Sequence, residues 1–400
     1  MGSERSRSSQ LDILKQPRKV RLEYFRAFKA GHPLLLSAYE ELRCAIRDSN
    51  PGSIIYLCGP TGVGKTTLLE HISEHLKAIT LTDLAEDREH IPIITSLLVA
   101  PTTGTFDWKD YFKRLLTEME EPLVEHKLEI ERWGRHRLDD FGSSESNLQL
   151  IGSEKPATRA LRIATERTLK RRRLLALLLD DAQYLGVTNS GRQLLNHLNI
   201  IKSLVDKSET THVLCGTYEL NPLRNLNGQL SRRSVDIHFG RYHADRPSHR
   251  QQFLNVLYTF QQHLPLAETP DLVSRWDYFY ERTIGCVGVL KDWLTNALAM
   301  ALEDDSPSLE LTYLERQAFS VKKCTTMLHD AMLGETEFED SDLSRSLLRR
   351  DLGLEAEPPK SAEESTLPLN SELPNTQQKR RQRRVGRRKP VRDKVGTKIA

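Results

Sequence analysis

The chain lacks any apolar run long enough to cross a bilayer. Its longest unbroken aliphatic stretch, Leu174 to Leu179, has six residues, far short of the roughly 20 that a spanning helix needs. No apolar core follows the opening MGSERSRSSQ, so secretion is not expected. Cysteine is scarce as well. Cys44, Cys58, Cys215, Cys286 and Cys324 are odd in number and show no CxxC spacing, which fits a reducing, cytoplasmic location and no zinc cluster. There is no internal repeat, and no helix-turn-helix, zinc finger or aromatic stacking set is recognisable, so sequence-specific base reading is not indicated.

What is present describes a largely folded chain with unequal ends. Its 400 residues are 38% hydrophobic and 28% charged, enough for about two folded units plus tails. The net charge of +3 conceals a segregation. Residues 379–400 hold eleven Lys/Arg against the single acid Asp393, giving +10 there and about −7 on residues 1–378. Before that polycation, Glu355 to Thr376 is rich in Pro, Ser and Glu and has too little apolar surface to repay the entropy of ordering. A disordered linker and a basic tail suited to phosphate backbones or an acidic protein are expected.

Strand-like apolar runs recur at Ser53 to Cys58, Ile91 to Val99, Leu174 to Leu179, His212 to Gly216 and Val235 to Phe239, with helix-period segments between them. Continuous apolar strands joined by helices predict an α/β fold, a parallel sheet covered on both faces. From about residue 245 the strands stop. Helical spacing over Ser248 to His263, Leu272 to Thr283, Val289 to Leu302 and Leu309 to Leu328 predicts a small all-helical unit. The expected divisions are a flexible stretch 1–20, an α/β domain 21–244, a helical unit 245–330, a linker 331–378 and the tail 379–400. Residues 124–155 resemble an insertion.

The strongest local signal is Gly59-Pro60-Thr61-Gly62-Val63-Gly64-Lys65-Thr66, which satisfies GxxxxGK[ST] at every fixed position. An apolar strand runs into it, and Thr67 to Lys77 continues as an amphipathic helix. Glycines there let backbone N–H groups curl inward around phosphates, and the helix N-terminus adds a favourable dipole. Lys65 is expected to reach the β/γ-phosphates of ATP and Thr66 to ligate Mg²⁺.

Such a loop calls for a carboxylate at the end of a neighbouring buried strand. Asp180 follows Leu174 to Leu179 and is the expected partner of the metal, with Asp181 placed to orient the attacking water. Many ATPases of this type carry Glu at the second position. The shorter Asp181 therefore points to slow or weak hydrolysis, or to help from Gln183. Thr217, at the tip of the next strand, is a candidate for contact with the γ-phosphate or that water. Arg232 and Arg233 follow, either of them a candidate finger towards a neighbouring subunit's nucleotide.

Taken together, GPTGVGKT, LLLDDAQ, LCGTYEL and SRRSVDIHF, followed by TIGCVGVLKDWLTNAL, resemble an AAA+ ATPase. More narrowly, they are similar to the TniB/TnsC ATPases that select targets for bacterial and CRISPR-associated transposons. Ala100 to Leu123 adds to the likeness with a proline-led turn and a helix. The resemblance implies that the helical unit is a lid, with Gly285, Gly288 and Lys291 at the places of a nucleotide-sensing turn. It implies assembly as a homo-oligomeric ring or filament on double-stranded DNA, between a TniQ-like target-site recognition protein and a transposase. It places Lys109, Lys113 and Arg114 near the inner face of such an oligomer, as candidate DNA contacts. Lys170 to Arg173 reads instead as an exposed helix end.

The expected function is therefore an ATP-dependent, DNA-binding regulator of DNA transposition without sequence specificity. Two alternatives stand beside it: a weakly hydrolysing ATP-gated adaptor, and a replication-loader or defence ATPase on the same fold.

Overall fold

The structure, a computed structural model, describes residues 12–81, 87, 89–102, 104–122, 124, 156–187, 191–226, 234–339 and 341–354. Arg232 and Arg233, the expected insertion apart from Val124, the linker from residue 355 on and the basic tail lie outside the described residues.

The five apolar runs become β1 (Ile54–Cys58), β2 (Ile93–Leu97), β3 (Ala176–Asp180), β4 (Thr211–Gly216) and β5 (Ser234–His238). All pair in parallel, in the order β2-β3-β4-β1-β5. Every residue of β1, β3 and β4 is buried, whereas the edge strands β2 and β5 are partly exposed. A strand covered on both faces has no polar side to display, which is why the central runs carry no alternation.

Helices α1 (Arg18–Ala27) and α2 (Pro33–Asp48) precede β1, and α3 (Lys65–Ile79) joins β1 to β2. Helices α4 (Trp108–Glu118) and α5 (Pro156–Arg171) lie between β2 and β3, α6 (Gly191–Ser208) joins β3 to β4, and the short α7 (Asn221–Asn225) precedes β5. Successive strand residues point to opposite faces. Ile55, Leu57, Val213 and Cys215 meet Leu42 of α2 and Leu68 and Ile72 of α3 on one face. Ile54, Tyr56, Leu177 and Leu214 meet Phe112 of α4, Leu161 of α5 and Ile201 of α6 on the other.

After β5 come α8 (Pro247–His263), α9 (Trp276–Thr283), α10 (Val287–Glu303), α11 (Leu311–Gln317) and α12 (Val321–Glu335). Phe253, Phe260, Phe279, Leu294 and Leu314 form the shared core of α8 to α11, and Phe25 of α1 belongs to it too; α12 packs separately through Cys324 and Ala331 against Ile284, Cys286 and Val289. The first helix thus packs with the last part of the fold. Arg21 Nε donates to the Pro265 carbonyl at 2.9 Å, and Arg18 pairs with Asp305. α1 begins at Arg18, within the 1–20 stretch expected to be flexible, because the fully buried Phe25 ring anchors it.

The helical spacing over Leu309 to Leu328 is divided between two helices. Ala318 after α11 is extended, and α12 opens afresh where the Ser320 side chain accepts the Lys323 N–H at 3.3 Å. α12 then runs on to Glu335, past residue 330 where the linker was expected to start, because Glu335 closes a buried ion pair. Its Oε1 lies 3.0 Å from Arg241 Nε, with both side chains 8% exposed. Arg241 Nη1 also donates to the Ile284 carbonyl at 3.2 Å.

A separate unit starts at Asp340. Within it, α13 (Asp342–Asp351) is capped by Ser341, whose hydroxyl accepts the Ser344 N–H at 3.0 Å. Among the described residues no helix is long and apolar enough to cross a membrane.

Candidate functional site

The site lies at the carboxyl ends of the strands, where order reverses around β1 and loops leave the sheet in opposite directions. The chain leaves β1 at Gly59 and enters α3 at Lys65. Gly62 and Gly64 hold φ of 76° and 112°, a region open to glycine at little cost. Gly64 is the N-cap of α3 and has no side chain to satisfy the helix's first N–H groups. They remain available to an anion. A Cβ at Gly62 would stand 2.5 Å from Val289 Cγ2, and one at Gly288 would stand 2.5 Å from the Gly62 carbonyl oxygen. Val289 N–H donates to that same carbonyl at 3.2 Å. The loop is thereby fastened to the start of α10.

Lys65 Nζ donates to the carbonyls of Gly59 at 2.9 Å and Pro60 at 2.8 Å. Burial lowers its pKa, opposed by Asp180 among other groups. Thr66 Oγ1 donates to Asp180 Oδ2 at 2.8 Å, and Asp180 Oδ1 accepts the Asp181 N–H at 3.0 Å. Asp181 stands at φ 54°, a left-handed conformation that turns its carboxylate to accept from Gln183 Nε2 at 3.0 Å. Gln183 Oε1 in turn accepts the Thr217 N–H at 3.2 Å. A continuous polar chain therefore links the tips of α3, β3 and β4. The Thr217 hydroxyl is buried beside it with no hydrogen-bond partner, a cost that a ligand's polar atom relieves.

A cleft of about 490 Å³ opens over these groups and is lined by Thr61 through Thr67, Asp180, Asp181, Gln183, Thr217 and Lys291. Thr66 Oγ1 and the Asp180 carboxylate are hard oxygen ligands, adjacent and suited to Mg²⁺. Among the described residues no group of three or more His, Cys, Asp or Glu could itself hold a metal.

The cleft is also lined by residues that sequence reasoning missed: Arg26, Phe28, Lys29 and His32. His32 caps α2. Its Nδ1 accepts the Leu35 N–H at 3.4 Å and lies 3.0 Å from the Tyr242 hydroxyl. With Nδ1 accepting, the ring is neutral and its proton sits on Nε2, and burial pushes its pKa down to about 4. The His-Pro step opening a helix-period segment was the available signal.

Lys291 lines the cleft from α10, yet its ammonium rests on α1. Nζ is 3.5 Å from the Phe25 ring centroid, 5.7 Å from Phe28 and 5.6 Å from Phe260, and it donates to the Phe25 carbonyl. Burial brings its pKa down to about 8. Gly285, at φ 82°, makes the turn before α10. Lys109, Lys113 and Arg114 lie on α4 and do not line the cleft, and Arg114 Nε is held by Asp110 at 2.6 Å.

Residues 48–223 match the family model described as an AAA domain. No curated protein sequence matches. Among solved structures, the chain is similar to the Aeropyrum pernix ORC2 protein in its ADPNP-ADP complexes, at 14% identity over 73% of this chain and 66% of that one, with a TM-score of 0.45. It is similar to the Aeropyrum pernix ORC1 protein in complex with DNA, at 19% identity over 71% and 63%, with a TM-score of 0.44. It is also similar to a Walker-type ATPase of Pyrococcus abyssi, at 16% identity over 79% and 76%, with a TM-score of 0.40. The chain thus spans about two thirds of the length of the two ORC proteins. The matched domain, the parallel sheet and the phosphate loop together make this a P-loop AAA+ fold with a helical C-terminal part.

Proposed function

We propose that this protein is an ATP-dependent, oligomerising regulator of DNA transposition, of the TniB/TnsC kind, that binds duplex DNA without reading its sequence. In this reading it joins a TniQ-like recognition protein to a transposase. The observation that carries the nucleotide half is the hydrogen bond from Thr66 to Asp180, which brings the phosphate loop and the carboxylate strand to one point.

The inward N–H groups of the loop and of the first turn of α3 would hold the phosphates. Lys65 would exchange the carbonyls of Gly59 and Pro60 for phosphate oxygens. Thr66 and Asp180 would hold Mg²⁺, which when bound neutralises charge on the phosphoryl group being transferred. Asp181, tethered by Gln183, would orient a water, and the Thr217 hydroxyl would meet the γ-phosphate or that water. Lys291 would leave the Phe25 ring to sense the phosphates. His32 and its neighbours would border the base end. One of Arg232 and Arg233 would act on a neighbouring subunit's nucleotide.

The DNA half is supported by the motif resemblance, by the +10 charge of residues 379–400 and by the candidates Lys109, Lys113 and Arg114. Anisotropy of a random-sequence duplex, titrated with protein under ATP, ADP or no nucleotide across a salt series, tests it. Cooperative binding with ATP alone, abolished in Lys65→Ala, is the expected outcome. Assembly of Lys65→Ala equal to wild type, or binding that ignores nucleotide, would defeat the proposal.

A second reading, an ATP-gated adaptor that barely hydrolyses, is favoured by one observation. The Asp181 carboxylate is already engaged by Gln183 at 3.0 Å, which competes with any water it is to orient.

A further inference from the structure

A second cavity, about 480 Å³, lies between α12 and the turn leading from β4 into α7. Part of its wall is apolar. Met327 and Leu333 come from α12, Tyr218 from the turn and Pro222 from the start of α7, and Leu333 is 59% exposed. Two oxygens buried in its lining have no hydrogen-bond partner: Asn221 Oδ1, in a side chain only 6% exposed, and Thr217 Oγ1. Three carboxylates, Glu219, Asp330 and Glu337, line it as well, and Glu337 Oε2 accepts from Asn225 Nδ2 at 3.1 Å. Among the described residues that line it there is no Lys, Arg or His.

The chemistry of an occupant follows. The orphaned Asn221 Oδ1, an acceptor only, calls for a donor, and three carboxylates exclude an anion and favour a cation. Exposed Leu333 beside them favours an aliphatic group next to that cation. Of the cations proteins carry, a guanidinium meets several acceptors at once in a fixed plane and is the more weakly hydrated, so it enters a partly apolar site at least cost.

We propose that this cavity is a docking pocket for a protein partner, taking an arginine side chain with an adjacent aliphatic residue, and that its filling is felt at the nucleotide cleft. Thr61 and Thr217 line both cavities. Pro60 lines the second cavity and supplies a carbonyl that holds Lys65. The wall carrying Asp330 and Leu333 is fixed to the turn because Gly334 lies against the Tyr218 ring, where a Cβ would collide. The coupling rests on the nucleotide reading given above; the docking does not.

The test uses the full chain and three probes: N-acetyl-Leu-Arg-amide, its citrulline analogue of the same shape without charge, and agmatine, a free guanidinium. Binding of each is followed by ligand-observed NMR, without nucleotide and then with a fluorescent ATP analogue present. Arginine peptide binding about tenfold tighter than citrulline is expected, the loss of a charge-assisted hydrogen bond. The same loss is expected in Asp330→Asn/Glu337→Gln and in Asn221→Leu, with the ATP analogue bound within about twofold of wild type by the first of these. The surface pair keeps the test valid should Asn221→Leu fail to fold. No peptide binding, equal binding of arginine and citrulline, or variants that bind like wild type would overturn the docking proposal. Agmatine binding as tightly as the peptide would overturn the protein partner in favour of a free amine. If peptide binds but leaves affinity for the ATP analogue unchanged, the coupling falls. If the analogue fails to bind wild type at all, the nucleotide reading fails while the pocket stands.

Discussion

Acidification should act on the start of α2 through His32. Its ring is buried, its Nδ1 serves as the cap of α2, and the folded pKa near 4 lies below the ordinary 6.5. As pH falls the unfolded chain takes up the proton first, so the folded state is fully favoured above about pH 6.5 and loses ground steadily down to about pH 4. Between pH 7 and pH 4.5 this one residue removes about 2.5 kcal/mol. His212 and His243, each also held near 4 by burial, add losses of their own, so total stability does not isolate His32. A difference does. His32→Asn keeps a capping oxygen but has no ring to protonate, and at pH 7 it should be about 1–2 kcal/mol less stable for want of the Tyr242 contact and some packing. Urea unfolding of both proteins, followed by tryptophan fluorescence at pH 7 and pH 4.5, measures the gap. It should close and reverse in favour of the variant at pH 4.5. A gap that stays constant to within about 0.5 kcal/mol would refute the neutral, cap-accepting histidine.

Gly288→Ala places a Cβ against backbone, 2.5 Å from the Gly62 carbonyl oxygen, so it should lower affinity for a fluorescent ATP analogue by an order of magnitude or more by displacing the phosphate loop; unchanged affinity would show that α10 does not shape the loop. Glu335→Gln strands the buried Arg241 guanidinium and should cost about 3 kcal/mol in thermal or urea unfolding, while Arg241→Met/Glu335→Leu should recover most of it; a double variant no better than the single one would contradict this. Asp181→Glu should raise phosphate release several-fold if the shorter side chain and its Gln183 contact limit hydrolysis, and a fall in turnover would show that Asp181 is the fitting length.

The parts of this molecule visible in its sequence are those whose physics is local. A strand buried on both faces must be apolar throughout, so β1, β3 and β4 stand out as unbroken runs. A loop that curls around phosphate needs Gly59, Gly64, Lys65 and Thr66 at fixed spacing, and the helix it opens is amphipathic. Thr66 and Asp180 were paired in advance because the chemistry of the loop requires an acid on a neighbouring strand. Contacts between distant segments left no such trace. Nothing around Arg241 or Glu335 shows that they meet, because each is an ordinary charged residue until the fold removes its water. The family resemblance singled out Lys291, whereas its resting place against Phe25 depends on a helix more than 250 residues earlier. His32 went unnoticed for the same reason, since its partner Tyr242 lies far along the chain.

The seat of α1 has a consequence for how the chain is made. Phe25 belongs to the core built by α8, α9, α10 and α11, so when α1 leaves the ribosome that core is complete only after residues past Leu314 have followed it. At about 5–20 residues per second that interval is on the order of 15–60 s. During it the α/β sheet can close around its own two cores, while Leu22, Phe25 and Phe28 stay exposed to water, to chaperones and to other nascent chains. α1 can dock only once that core has formed, and a polypeptide cut short before α10 would carry its apolar face uncovered.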